Sequence, residues 1–321
     1  MSLTLIAAVF RTDLFGAGAS RVWPLLVAAT TAGSGYLGLL RGVLAGRGRY
    51  HAAAVVIGGE NVVRVAVALA LIMVRDDPVL LGLALLAGPA IGLAWPGALR
   101  LGRPHPEAPA GALLGSSGIS LLLAQVVLNG GPPLLAALGG ADAEVTALFT
   151  ALALFRAPYL LALGLSVRVT APLTRLVEDR RLGEVARITR WGTAAVVLAA
   201  GAAAAAAWWI GPALIRLAFG AGTDPSPAGA AGIAAGCTLA LGSLGLTVLL
   251  IARGGSAALV GSWGVAAAAG AVVLVAGGAV EVSDRVVAAF LAAETVAVLA
   301  MAAAMERWVR ATARRRGPAS T

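Results

Sequence analysis

Nine long apolar stretches dominate this chain, near residues 22–45, 52–74, 79–99, 112–138, 143–171, 191–217, 228–252, 256–279 and 286–309. Each approaches or exceeds the ~20 residues that carry an α-helix across a hydrocarbon core about 30 Å thick. A segment crossing that core finds no water for its backbone amides, so it must satisfy them internally, and a helix does so within one segment. A soluble domain is excluded on composition. Apolar side chains make up 60% of the 321 residues and charged ones 12%, where soluble chains approach about a quarter charged. The mean hydropathy is +0.91. The expected fold is therefore all-α, a polytopic membrane bundle of nine to ten transmembrane helices. The tenth is the apolar run from Met1 to Phe10, which stops at Arg11 and Asp13 short of a full crossing. It reads poorly as a signal peptide, because no basic segment precedes it and no small-residue cleavage pattern follows.

Charge placement orients the bundle. All 24 basic residues are arginine, against 15 acids, giving a formal charge of +9. Seventeen of them fall in one alternating set of connections, around positions 41–49, 100–103, 168–190, 253 and 307–316; five fall in the opposite set, and Arg64 and Arg156 lie inside spans. Basic residues stay on the cytoplasmic side, so the C-terminus is expected there, in a multi-pass plasma-membrane protein. This explains the positive balance without nucleic acid as a partner.

Between the third and fourth stretches, the Pro-rich segment 100–111 reads as an extended cytoplasmic linker. Residues 175–190 are basic and amphipathic, suited either to lying on an anionic leaflet or to a plain cytoplasmic loop. A single cysteine, Cys237, and two separated histidines, His51 and His105, offer neither a disulfide nor a metal site, and no cofactor motif is present.

Ionisable groups inside spans are the informative exceptions, since each costs about 2.5–3.5 kcal/mol at a helix centre even on lenient insertion scales. Glu60 and Arg64 share a helical face at i, i+4. They either neutralise each other and hold two helices in register, or line a polar cavity. Arg156 stands in Leu154-Phe-Arg-Ala-Pro-Tyr159 without a carboxylate one turn away, beside a proline able to kink the helix. Its guanidinium fork suits a diphosphate, or it pairs with Glu294 or Glu60 from another helix. Glu294, alone inside the last span, is either a proton or cation coupling site or the counter-ion of Arg156. Gln125 and Asn129 share a face and either line a cavity or bond a neighbouring helix.

Enzymatic constellations do not emerge. There is no Ser/His/Asp set and no Gly-rich phosphate loop followed by lysine. Asp76-Asp77-Pro78 is only weakly similar to the acidic loops of membrane glycosyltransferases and reads better as a turn. No catalytic residue and no metal ligand is expected.

Four passages resemble the polysaccharide and oligosaccharide flippases of the MOP superfamily, which also includes lipid II flippases and multidrug exporters. They are Leu39-Leu-Arg-Gly-Val-Leu-Ala-Gly-Arg-Gly-Arg-Tyr50 followed by Gly59-Glu-Asn-Val-Val-Arg64; Leu128-Asn-Gly-Gly-Pro-Pro-Leu-Leu135 with Phe149 to Pro158; Arg168-Val-Thr-Ala-Pro-Leu-Thr-Arg175; and Ile210-Gly-Pro-Ala-Leu-Ile-Arg-Leu-Ala-Phe-Gly220. The resemblance implies two helical bundles around a central cavity that rock between inward-open and outward-open states. It divides the chain into an incomplete first bundle at 1–103, apparently lacking about two N-terminal helices, a linker at 104–111, a complete six-helix second bundle at 112–310 and a basic tail at 311–321.

The activity it implies is alternating-access translocation of a lipid-linked oligosaccharide of polyprenyl diphosphate type, for cell-surface polysaccharide synthesis. Its partners would be the bilayer, the lipid-linked saccharide and glycan-assembly enzymes. Arg156 is the expected diphosphate contact, Arg64, Glu60 and Asn129 are further substrate-binding positions, and Glu294 is the coupling-ion candidate. The alternatives are a cation-coupled multidrug exporter of the same superfamily, and a membrane glycosyltransferase or scaffold.

Overall fold

A computed structural model describes residues 22–74, 77–95, 110–220 and 225–315. The terminal run 1–10, Asp76, His105 and most of the Pro-rich segment lie outside the described residues. The described residues form helices with no strand. Contacts divide the chain into two compact units, Met1–Ala108 and Pro109–Thr321.

The first unit holds α1 (Val22–Gly46), α2 (Tyr50–Val74) and α3 (Pro78–Ala87), the last continued by a 3-10 segment, Gly88–Ala94. Leu37, Leu40 and Leu44 of α1 recur at helical spacing and bury against Ala53 and Val56 of α2. From the sequence, 79–99 is one full crossing; in the structure its apolar helix, Val79–Ala94, falls short of one. Gly88-Pro89 breaks it, because Pro89 has no N–H to continue the α-ladder. The tighter 3-10 turn presses Ile91 against Gly59, where a Cβ would sit 2.9 Å from the Ile91 side chain. Asp77 caps α3 by accepting a 2.8 Å hydrogen bond from Val79 N, which is the turn role its place before proline suggests.

The second unit contains α4 (Ala110–Asn129), α5 (Gly131–Ala137), α6 (Asp142–Phe155), α7 (Ala157–Glu178), α8 (Leu182–Phe219), α9 (Pro227–Ala252), α10 (Ser256–Ala276) and α11 (Val282–Arg315). Across both units six described helices are long and apolar enough to span a membrane, and eight spans result if α4 with α5 and α6 with α7 each count as one bent crossing. The chain is thus an all-α, multi-pass membrane protein.

The centre of the second unit is α9, whose apolar window is 67% buried, more than that of any other described spanning helix. The helix is uncharged and rich in small residues, which lets neighbours approach its backbone. Gly232 and Gly236 face Val287 and Phe290 of α11, and a Cβ on Gly232 would lie 2.6 Å from Val287. We expect Gly236→Val to push α11 away through Phe290 and cost about 1–3 kcal/mol, read as a lower thermal unfolding midpoint in detergent. On the outside of the unit, Leu198, Trp209 and Leu217 of α8 are 75%, 82% and 84% exposed, a surface suited to acyl chains and not to water.

Residues 175–190 comprise the end of α7, a tight turn and the start of α8. Arg180 closes α7 in the left-handed region with φ 52°, and its amphipathicity is explained by Val177 and Val185, which bury in the core on either side of the turn. The last helix continues to Arg315, into the basic segment 311–321.

Candidate functional site: a polar cluster at two helix breaks

Both bent crossings of the second unit break beside polar residues. Between α4 and α5 the axis turns by 64° at Asn129-Gly-Gly-Pro-Pro133. Gly130 permits the turn because a Cβ there would collide with the carbonyl oxygen of Val126, backbone that cannot move aside. The prolines then occupy the first turn of α5, where a missing N–H is harmless. Between α6 and α7 the axis turns by 46° at Arg156. Here Pro158 removes a donor from the ladder, so the α6 helix ends with Arg156 N bonded to Leu152 O and a new helix starts.

The two breaks meet. The Arg156 guanidinium donates through Nη1 to Asn129 Oδ1. Asn129 Nδ2 in turn donates to Gln125 Oε1 at 2.7 Å and to the Gln125 carbonyl at 3.1 Å. Amide orientation is thereby fixed: with its N–H group on Gln125, Asn129 presents its oxygen to the cation. Gln125 and Asn129 are exposed and Arg156 is half-buried, so the strip lies on an open face of the unit. Counted at 1.5 Å per residue, Arg156 is about 21 Å along α6 and α7 from Asp142, well inside a core about 30 Å thick. A polar strip at that depth belongs against water or protein, since acyl chains cannot satisfy it.

Glu294 of α11, in the same unit, exposes none of its surface. Among the described residues neither of its carboxyl oxygens has a hydrogen-bond partner, and the Nε of Arg156 has none either. Cys237 of α9 is likewise buried and has a free thiol. The reading of Glu294 as a counter-ion already paired with Arg156 is not what this arrangement displays: Arg156 is held by Asn129.

The first unit holds the other two predicted positions. Arg64 Nη2 bonds Glu60 Oε1 at 2.7 Å, as their spacing suggests, and Arg41 of α1 joins Glu60 from the other side. Arg41 falls in a loop in the sequence reading; in the structure it is on the same face of α1 as Leu37, Leu40 and Leu44, a phase legible in the sequence. Gly88 closes over the group, and Arg64 Nε reaches the Leu85 carbonyl at 3.3 Å. A Cβ at Gly88 would lie 2.6 Å from that nitrogen. Arg41, Glu60 and Arg64 thus form an ion triad that links α1 and α2, with Arg64 also reaching the α3 backbone. Among the described residues no His/Cys/Asp/Glu group suited to a metal ion occurs.

The ends of the second unit differ in charge. At one end Arg190 and Arg310 both bond Glu306, at 2.8 and 2.7 Å, and Arg253 lies over the Trp308 ring at 6.0 Å. At the other, Glu144, Glu281 and Asp284 line a cavity of about 210 Å³ with Pro225 and Ser226. Glu144 caps α6 by accepting from Ala141 N at 2.9 Å. A side-chain hydrogen bond with Glu144, then the charges of Glu144 and Asp284, raise the Glu281 carboxyl above its ordinary value. A raised carboxyl contributes stability that is complete below the unfolded value and is lost as pH rises through the folded one. Acidification from neutral pH should therefore raise the unfolding temperature of the wild type more than that of Glu281→Gln, measured by a pH series of thermal melts.

Compared with models of protein families, with curated proteins and with solved structures, the chain shows no significant match to any of them.

Proposed function

We propose that the chain is a transporter that moves a lipid-linked oligosaccharide of polyprenyl diphosphate type across the plasma membrane by alternating access, supplying cell-surface polysaccharide synthesis. One observation carries this reading: half-buried Arg156 sits at a helix break inside an apolar crossing, beside an open face, held by a neutral amide with no acid bonded to it among the described residues. A half-buried cation inside an apolar crossing favours an anion, and its planar fork matches the paired oxygens of a diphosphate. Broken helices suit such a site because they bring unpaired backbone groups to a ligand without exposing them to lipid. No bond is made or broken in this activity. Retention of Arg-rich connections on the cytoplasmic side supports a cytoplasmic C-terminus, with Glu144, Glu281 and Asp284 toward the outer surface.

Ligand-dependent thermal stabilisation tests the reading. Undecaprenyl diphosphate or a lipid-linked disaccharide should raise the melting temperature of the purified protein, and Arg156→Ala should remove the shift. Equal shifts in both would take Arg156 out of the site. A second reading, a cation-coupled drug exporter, draws on buried Glu294; it expects organic cations to bind, and to bind equally well to Arg156→Ala.

A further inference from the structure

We infer that the end of the second unit where the α9–α10 turn meets α11 binds the phosphate of an anionic phospholipid, with Arg253 as the central contact. Such a site needs a guanidinium that is fixed in place, free of carboxylates and level with lipid headgroups. The turn fixes it. After α9 ends at Ala252, Gly254 N donates to the Ile251 carbonyl at 2.9 Å and Gly255 N to the Leu250 carbonyl at 2.8 Å, a Schellman closure. Gly254 takes φ 74°, in the left-handed region that favours glycine. The Arg253 side chain folds back over Gly255, which admits it only for want of a Cβ: one there would lie 2.6 Å from Nε and 2.9 Å from Cζ. The same guanidinium stands 6.0 Å from the centre of the Trp308 ring, and Trp308 is packed against the core around α9. An aromatic face orients a guanidinium without neutralising it. Among the described residues no carboxylate pairs with Arg253, and its Nε is buried without an acceptor.

Depth and charge select the ligand. From Val286 to Met305, α11 carries no charged residue except buried Glu294 and rises about 29 Å, close to the thickness of the hydrocarbon core. Glu306 to Arg315 therefore lies at the headgroup level and beyond it. In that stretch Arg307, Arg310 and Arg314 are exposed and share a face at i, i+3 and i+7. The acid beside them, Glu306, is already divided between Arg190 at 2.8 Å and Arg310 at 2.7 Å. These cations favour a lipid of net negative charge, because a zwitterionic lipid would bring its ammonium group against them. Lipid phosphate is the anion the bilayer itself supplies at this level, so the occupant is a phospholipid and not a soluble phosphate. A headgroup held by Arg253 and reaching the α11 arginines fastens the α9–α10 turn to the last helix. Its binding requires no cargo.

The test uses the full chain purified in a neutral detergent, with phosphatidylglycerol, phosphatidylcholine or glycerol phosphate added in parallel. Phosphatidylglycerol should raise the thermal unfolding midpoint of the wild type, phosphatidylcholine at the same mole fraction should raise it less, and glycerol phosphate should leave it unchanged. By native mass spectrometry the wild type should retain phosphatidylglycerol with at least about fivefold higher affinity than Arg253→Ala. Arg253→Lys, which keeps the charge and loses the fork, should fall between them. Equal retention by the wild type and Arg253→Ala would overturn the assignment to Arg253. Equal retention of the two lipids by the wild type would overturn the anionic site, even if Arg253→Ala failed to fold. A shift from glycerol phosphate as large as that from phosphatidylglycerol would mark a site for soluble anions and overturn the lipid as its occupant.

Discussion

Glu60→Ala is expected to destabilise the first unit by about 3–5 kcal/mol, the range for removing one partner of a buried ion pair. Glu60 is 6% exposed and answers two guanidinium groups, Arg41 and Arg64, one from each of two helices. Without it, two cations face each other under Gly88 with no anion between them. Glu60→Gln keeps the volume and leaves weaker neutral hydrogen bonds, so it should fall between alanine and wild type. Limited proteolysis and thermal melts would show the first unit failing while the core around α9 retains its protection. A loss below about 1 kcal/mol would mean that the triad is hydrated like a surface pair.

The second large effect is on binding. Arg156→Ala should weaken an anionic ligand by about 2–4 kcal/mol, or about 30- to 1,000-fold in affinity, because a charge-assisted contact in a site screened from bulk water is lost. Arg156→Lys should recover only part of this, since a point charge cannot grip two oxygens as the fork does. Asn129→Ala should cost less. It removes the acceptor that orients Arg156 but leaves the charge. Stability should respond in the opposite order, because truncating Arg156 relieves a desolvated nitrogen in the half-buried site.

Much of this arrangement is legible from residues alone. The boundaries of α1, α9 and α10 follow from the apolar runs and their Gly or Arg ends, and the break at Arg156 follows from Pro158. Asn129-Gly-Gly-Pro-Pro likewise marks the second break. What periodicity does not disclose is which break meets which, and so the hydrogen bond from Arg156 to Asn129 across 27 residues of sequence is invisible until the helices are packed. Glu294 shows the same limit: its position inside a span is plain, but that its carboxyl oxygens find no partner among the described residues is a property of the packed helices. In the third apolar stretch, hydropathy is blind to the change from α-helix to 3-10 helix at Gly88-Pro89. Arg41 escapes notice because it lies close to the end of α1, where a charge ordinarily needs no partner.

Translocation in reconstituted vesicles tests the central claim most directly. Proteoliposomes loaded symmetrically with a polyprenyl-diphosphate disaccharide would be probed by an enzyme that modifies only headgroups in the outer leaflet. Wild-type protein should expose the inner-leaflet pool to that enzyme over time, and Arg156→Ala should leave it as inaccessible as protein-free vesicles do. Exposure at the wild-type rate by Arg156→Ala, or none by the wild type, would contradict the account.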